Sequence, residues 1–183
     1  MTAVSQQLIL LQQYREKSYV SSILAEEAFS YYVFIKNIIN IPLIITNSAM
    51  VVINSTITDD NLLKILNIIL NASTGLILSL ISNFKIHENI NQFNTIRIKF
   101  TKISHQIDNM LMDDSKINND IIKSIVEDYD AVIEAFDVIY PTHIKRRIKK
   151  QYEGKLSLPS VLQAEIVEIC NKGTNCCIVT ENP

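Results

Sequence analysis

The chain has 183 residues, 48% of them hydrophobic, with three glycines, four prolines and no tryptophan. Seventeen basic against nineteen acidic residues leave a formal charge of −2, so bulk charge singles out no nucleic acid or acidic surface as a partner. This length indicates one domain, and the scarcity of glycine beside abundant Ile and Asn suits long helices packed lengthwise, despite the preference of Ile for strands. The expected fold class is all-α, a two-helix transmembrane hairpin whose helices extend into a cytosolic antiparallel bundle.

Met1 to Gln7 is polar, and the apolar cluster Leu8 to Leu11 is too short for a secretory signal core, so no leader is expected. From there Leu8, Leu11, Arg15, Ser18, Ser22, Ala25, Phe29 and Tyr32 recur at alternating spacings of three and four. That period keeps one face of a helix inward and predicts an arm helix over 8–36.

Residues 38–57 and 65–84 contain no charged side chain, and Lys36, Asp59, Asp60, Lys64 and Lys85 border them. A helix rising roughly 1.5 Å per residue needs about this length to cross a hydrocarbon layer roughly 30 Å thick. The connection Thr58-Asp59-Asp60-Asn61 is so short that the two spans must be antiparallel neighbours, with both chain ends on one side. Arg15, Lys17, Lys36, Lys85, Arg97, Lys99 and Lys102 lie in the flanking arms, whereas Lys64 stands alone with Asp59 and Asp60 near the connection. Both termini are therefore expected in the cytoplasm. The sequons at Asn54 and Asn71 sit in or against the bilayer and should stay unmodified. Pro42 allows two placements: the first turn of the membrane helix after an Asn40 cap, or a kink in a continuous helix that frees the carbonyl of Ile38.

Polar groups within the runs compete with this reading, because a soluble protein could bury two such helices in a large core. Absence of charge favours lipid, since one Lys or Asp at mid-helix costs about 2.5–3.5 kcal/mol whereas Asn, Ser and Thr can bond a neighbouring helix. Asn47, Met50 and Asn54 share one face of the first span, and Asn67, Asn71, Thr74 and Ser82 one face of the second. Such a stripe either lines a water-filled path in an oligomer or bonds across the hairpin, with Gly75-x-x-x-Ser79 allowing close approach. Asn47, Asn54, Asn67, Asn71 and Thr74 are the candidate site residues.

Beyond the hairpin, Ile86, Ile90, Phe93, Ile96, Phe100, Ile103, Ile107 and Met110 predict an arm helix over 85–112 that continues the second span. Asp113-Asp114-Ser115 interrupts the pattern with capping residues, and Ile122, Ile125, Tyr129, Val132, Phe136 and Ile139 resume it over 118–140. Residues 143–155 are the densest basic stretch. Lys145, Arg146, Arg147, Lys149 and Lys150 there either attract anionic lipid headgroups or form a solvated helix end; without aromatic stacking residues, nucleic acid is not expected. Ser157-Leu158-Pro159 marks a further helix start, and Val161, Leu162, Ile166 and Ile169 give a short amphipathic segment able to dock back or hold a protein partner. Residues 1–155 thus form one helical domain, and 156–183 a short helix with a loose tail holding Cys170, Cys176 and Cys177.

No reaction chemistry is expected. His87, His105 and His143 are scattered, Gly75, Gly154 and Gly173 cannot build a phosphate loop, and the cysteine spacing is not that of a zinc site. Neither metal nor cofactor is anticipated, and the adjacent thiols either stay free or accept acyl chains.

Tyr14-Arg-Glu-Lys-Ser-Tyr19, Asn37-Ile-Ile-Asn-Ile-Pro42-Leu-Ile-Ile45, Tyr129-Asp130 and Ile139-Tyr-Pro-Thr-His-Ile144 followed by basic residues resemble the SLATT superfamily, in the variant carried by large DNA viruses. The resemblance spans about residues 10–152. It implies a membrane hairpin with a cytosolic bundle, acting in bacterial relatives as a pore-forming effector triggered by a nucleotide-sensing partner, and it supplies no catalytic residue. Within these 183 residues no room for a fused nucleotide-binding sensor beside the bundle is expected. A homo-oligomeric channel-like protein and a non-conducting anchor or scaffold of a virion or host membrane are the two expectations it leaves.

Overall fold

The computed structural model describes residues 3–56, 60–112, 118–136 and 138–163. Six helices follow in order: α1 (Ala3–Thr56), α2 (Asp60–Asn83), α3 (Ile86–Leu111), α4 (Asn119–Ala135), α5 (Thr142–Tyr152) and α6 (Ser160–Gln163). No strand occurs among the described residues, so the fold is all-α as expected. The chain divides into two compact units, Met1–Leu24 with Arg97–Pro183, and Ala25–Ile96.

The first unit is a helical bundle. Leu11, Val20 and Leu24 of α1, Phe100, Ile103 and Ile107 of α3, Ile122, Ile125, Tyr129 and Val132 of α4, and Ile144 and Ile148 of α5 form its buried core. For α3 and α4 these are the positions the three-four spacing selects. In α1 Leu11, Ser18 and Ala25 of the predicted line are buried, but Ser21 is buried in place of the expected Ser22, and Arg15 is exposed and pairs with Asp108 of α3. A guanidinium cannot enter the core without a buried counter-charge, so the inward face turns to small residues instead.

Aromatic contacts tie this bundle together. The Tyr129 ring meets Tyr14 edge-on at 5.3 Å and Phe100 at 5.4 Å, and Tyr19 meets Tyr152 edge-on at 6.5 Å. Tyr140 is buried, which pushes its phenol pKa upward, and the nearby Tyr129 adds to the shift. The segment after α4 follows from this anchoring. The predicted helix over 118–140 stops at Ala135, Phe136 takes an extended conformation, and Ile139 is left 85% exposed while Tyr140 and Ile144 turn inward on either side of Pro141. Proline ends the preceding segment and starts α5, since it has no N–H to give a helix interior. At the far end, the Ser157 amide donates to Glu16 Oε2 at 2.8 Å, and Pro159 and Leu162 are buried. The capping run 113–115, the segment positions Ile166 and Ile169 and all three cysteines lie outside the described residues.

In the second unit, Ala25, Ala28, Phe93 and Ile96 are buried, and Tyr32 stacks on Phe93 with centroids 5.5 Å apart. Met50, Ile81 and Ile86 complete its buried set. The arm and the first apolar run are one helix: α1 passes through Pro42 without interruption, so proline lies inside a continuous helix and not at a capped start. The second apolar run does not continue into the next arm. Lys85 takes φ 49°, its amide donates to Ser82 O at 3.0 Å to close α2, and α3 restarts with Asn89 donating to Lys85 O. Ser82 and Asn83 are weak helix formers where the apolar run ends, so the break falls there.

Candidate functional site

Each apolar helix has a narrow inward face and a broad outward one. Leu43 and Ile53 of α1 and Leu63, Leu66, Leu70, Thr74 and Ile77 of α2 are half-buried, and Met50 and Ile81 are buried. Around them Ile38, Ile41, Ile44, Ile45, Val51 and Val52 of α1, and Ile65, Ile68, Ile69, Leu76, Leu78 and Leu80 of α2, are exposed. Both helices are long and apolar enough to cross a membrane, with 18-residue windows of mean hydropathy 1.6 and 1.8 of which only 6% is buried within the chain. Such low burial separates them from the core helices of a soluble protein, which show the same composition with the opposite exposure.

Three groups stand out among the polar side chains of the hairpin. Hydroxyls bond within their own helix: Thr46 Oγ1 donates to Pro42 O, Ser48 Oγ to Ile44 O, Thr56 Oγ1 to Val52 O and Ser73 Oγ to Ile69 O, each at 2.8 Å, and Ser55 Oγ to Val51 O at 2.6 Å. Bonds back to the carbonyl one turn earlier satisfy a hydroxyl without any neighbour. Across the hairpin, Asn67 Nδ2 donates to Asn54 Oδ1 at 3.5 Å. Asn47 and Asn71 form the third group. Both are exposed, and neither carboxamide has a hydrogen-bond partner within the described chain.

The five stripe residues are therefore not equivalent. Asn54 and Asn67 are brought together, Thr74 is half-buried beside the seam, and Asn47 and Asn71 face outward. Met50 belongs to the inward face rather than the stripe. The signal for this division was the spacing of Leu43, Met50 and Ile53, which marks the inner seam of α1 independently of its asparagines.

The basic stretch forms α5. Ile144 and Ile148 anchor it, Arg146, Arg147 and Lys150 are exposed, and Lys145 and Lys149 are half-buried. Lys149 and Lys150 stand in the last turn, where cations offset the partial negative charge of the terminal carbonyls. A shallow cleft between α3 and α4 is walled by Lys99, Lys102, Gln106 and Asp128, with Lys99 Nζ 5.0 Å from the Phe136 ring centroid. Charges of both signs share it, and no single ligand charge is selected. Among the described residues no three His, Cys, Asp or Glu side chains gather as a metal site would require.

Comparison with protein-family models, with curated proteins and with solved structures finds no match to this chain.

Proposed function

We propose that the protein is an integral membrane helical-hairpin protein, with α2 and the second half of α1 spanning the bilayer and the helical bundle outside it. The carrying observation is the exposure of the two charge-free helices: water would contact nearly all of their Ile, Leu and Val side chains, and lipid removes that cost at about 25 cal/mol per Å². The hydroxyl pattern supports the same solvent, because every Ser and Thr bond named above is closed within one helix, as a segment in hydrocarbon requires. Retention in the pellet after alkaline carbonate washing of membranes tests this. Release of intact protein into the supernatant rejects it.

Within that reading, the resemblance to the SLATT superfamily assigns an oligomeric, channel-like role with both termini in the cytoplasm. Outward amides at Asn47 and Asn71 support it, since they offer polar groups only to a neighbour or to water. An anchor or scaffold role is favoured by a different observation, the closure of Asn54 on Asn67, which takes half of the asparagine stripe out of any path. Ion flux through vesicles reconstituted with the purified chain distinguishes the two. Flux above protein-free vesicles supports the channel, and its absence in a reconstituted preparation supports the anchor.

A further inference from the structure

The lone amides of Asn47 and Asn71 specify what covers the hairpin. Asn47 sits midway along residues 38–57, and Asn71 with Thr74 near the middle of 65–84, where no lipid group can donate or accept a hydrogen bond. The hydroxyls of Thr46, Ser48, Ser55, Thr56 and Ser73 have acceptors on their own helix, and Asn54 and Asn67 have each other. Asn40 and Asn83 stand at the ends of the two runs, so Asn47 and Asn71 are the two lone carboxamides away from the ends, each with a donor and an acceptor and therefore complementary to another carboxamide.

Their placement fixes which one. At 3.6 residues per turn, Asn47 lies about 20° around α1 from Asn54, and Asn71 about 40° around α2 from Asn67, in the same rotational sense. Asn54 and Asn67 meet across an antiparallel pair, and in such a pair equal-sense rotations lead to the same flank. Both lone amides therefore occupy one side of the hairpin. They also share a depth: Asn47 is seven residues before Asn54 and Thr74 seven after Asn67, so Asn47 is level with Thr74 and within one turn of Asn71.

We propose that this flank binds a second copy of the chain about a two-fold axis normal to the membrane, with Asn47 of each copy hydrogen-bonded to Asn71 of the other. Turning one hairpin by half a revolution about that axis and facing it to itself sets α1 against α2 of the other copy, twice. Asn47 then comes within one helical turn of Asn71 in depth in both halves, an isologous contact that gives both mid-run carboxamides a partner. The axis of the resulting four-helix assembly is bordered by Asn47, Asn71 and Thr74. This inference rests on the membrane reading and adds to it the partner and the symmetry.

Differential cross-linking tests it on the full chain, with Cys170, Cys176 and Cys177 changed to Ser and two distinguishable tags. Asn47→Cys and Asn71→Cys chains are co-expressed in membranes and treated with a short, membrane-permeant bis-maleimide, which adds one thiol to each of its two double bonds. Expected is a mixed-tag dimer at least tenfold more abundant than like-with-like dimers of either variant, with Thr46→Cys and Ser73→Cys giving none above background. Separately, Asn47→Leu with Asn71→Leu weakens association between labelled copies in micelles at least tenfold, whereas Ser48→Ala leaves it unchanged. Equal like-with-like yields, absence of any dimer in a chain retained in the carbonate pellet, or undiminished association of the double Leu variant overturns the two-fold contact alone. Loss of the chain from the pellet overturns the membrane reading with it.

Discussion

At the scale of single residues, the bundle carries two groups whose environment is measurable. Ser18 is fully buried, and its hydroxyl has no hydrogen-bond partner. An unsatisfied buried hydroxyl costs about 1–3 kcal/mol. Ser18→Ala should therefore stabilise the chain by about 1 kcal/mol in denaturant titration, in contrast to Ser21→Ala, which removes a hydroxyl bonded to Tyr129. Tyr140 gives a pH dependence of definite sign. Burial raises its phenol pKa above the usual value of 10.0, so at alkaline pH the folded form holds the proton that the unfolded form has released. Stability from this group is complete below pH 10.0 and is lost as pH rises beyond it. Tyr140→Phe should flatten the alkaline limb of the stability-pH curve measured by circular dichroism.

Elements were legible in proportion to how much of their pattern came from large apolar side chains. Ile86, Phe93, Ile96, Phe100, Ile103 and Ile107 gave the inward face of α3 outright, because no alternative rotation buries all six. The N-terminal part of α1 was harder. Between the buried Leu11, Val20 and Leu24 its inward face holds small residues, and hydropathy does not separate the buried Ser21 from the predicted Ser22. Ile139 misled in the other direction, since its apolar side chain fits the α4 spacing but is exposed once α4 ends. The hairpin asparagines were visible as a stripe, yet their division into bonded and lone amides needed the register of α1 against α2.

Two element boundaries yield tests. Lys85 holds a left-handed conformation that costs a side-chain-bearing residue about 1–2 kcal/mol, and its exposed pair with Glu88 at 3.5 Å returns little of that. Lys85→Gly should raise stability in micelles by about 1 kcal/mol, whereas Lys85→Val should lower it. Pro42 leaves Ile38 O without its helical donor. Pro42→Ala should add an amide at position 42 that is strongly protected in hydrogen exchange, with no loss of helix content.

For the molecule as a whole, the central question is which solvent surrounds α2 and the second half of α1. A charge placed there discriminates directly. Ile45 and Ile69 are both exposed, so a lysine at either position would be harmless in water but costs about 2.5–3.5 kcal/mol in mid-membrane. The double variant Ile45→Lys with Ile69→Lys should lose carbonate-resistant membrane retention. The bundle built on Phe100, Ile125, Tyr129 and Ile148 should melt at an unchanged temperature, because none of its core positions is altered.

The hydroxyls of Thr46, Ser48, Ser55, Thr56 and Ser73 each carry their acceptor along on the preceding turn. Tilting a helix in the bilayer, or spinning it about its own long axis, breaks none of these bonds. The pair of Asn54 and Asn67 is different, because each amide is held by the other helix and resists both motions. The rotational setting of one rod against the other is thus pinned by this pair, and replacing both with leucine should leave the apolar seam to hold the rods together while letting each swivel more freely.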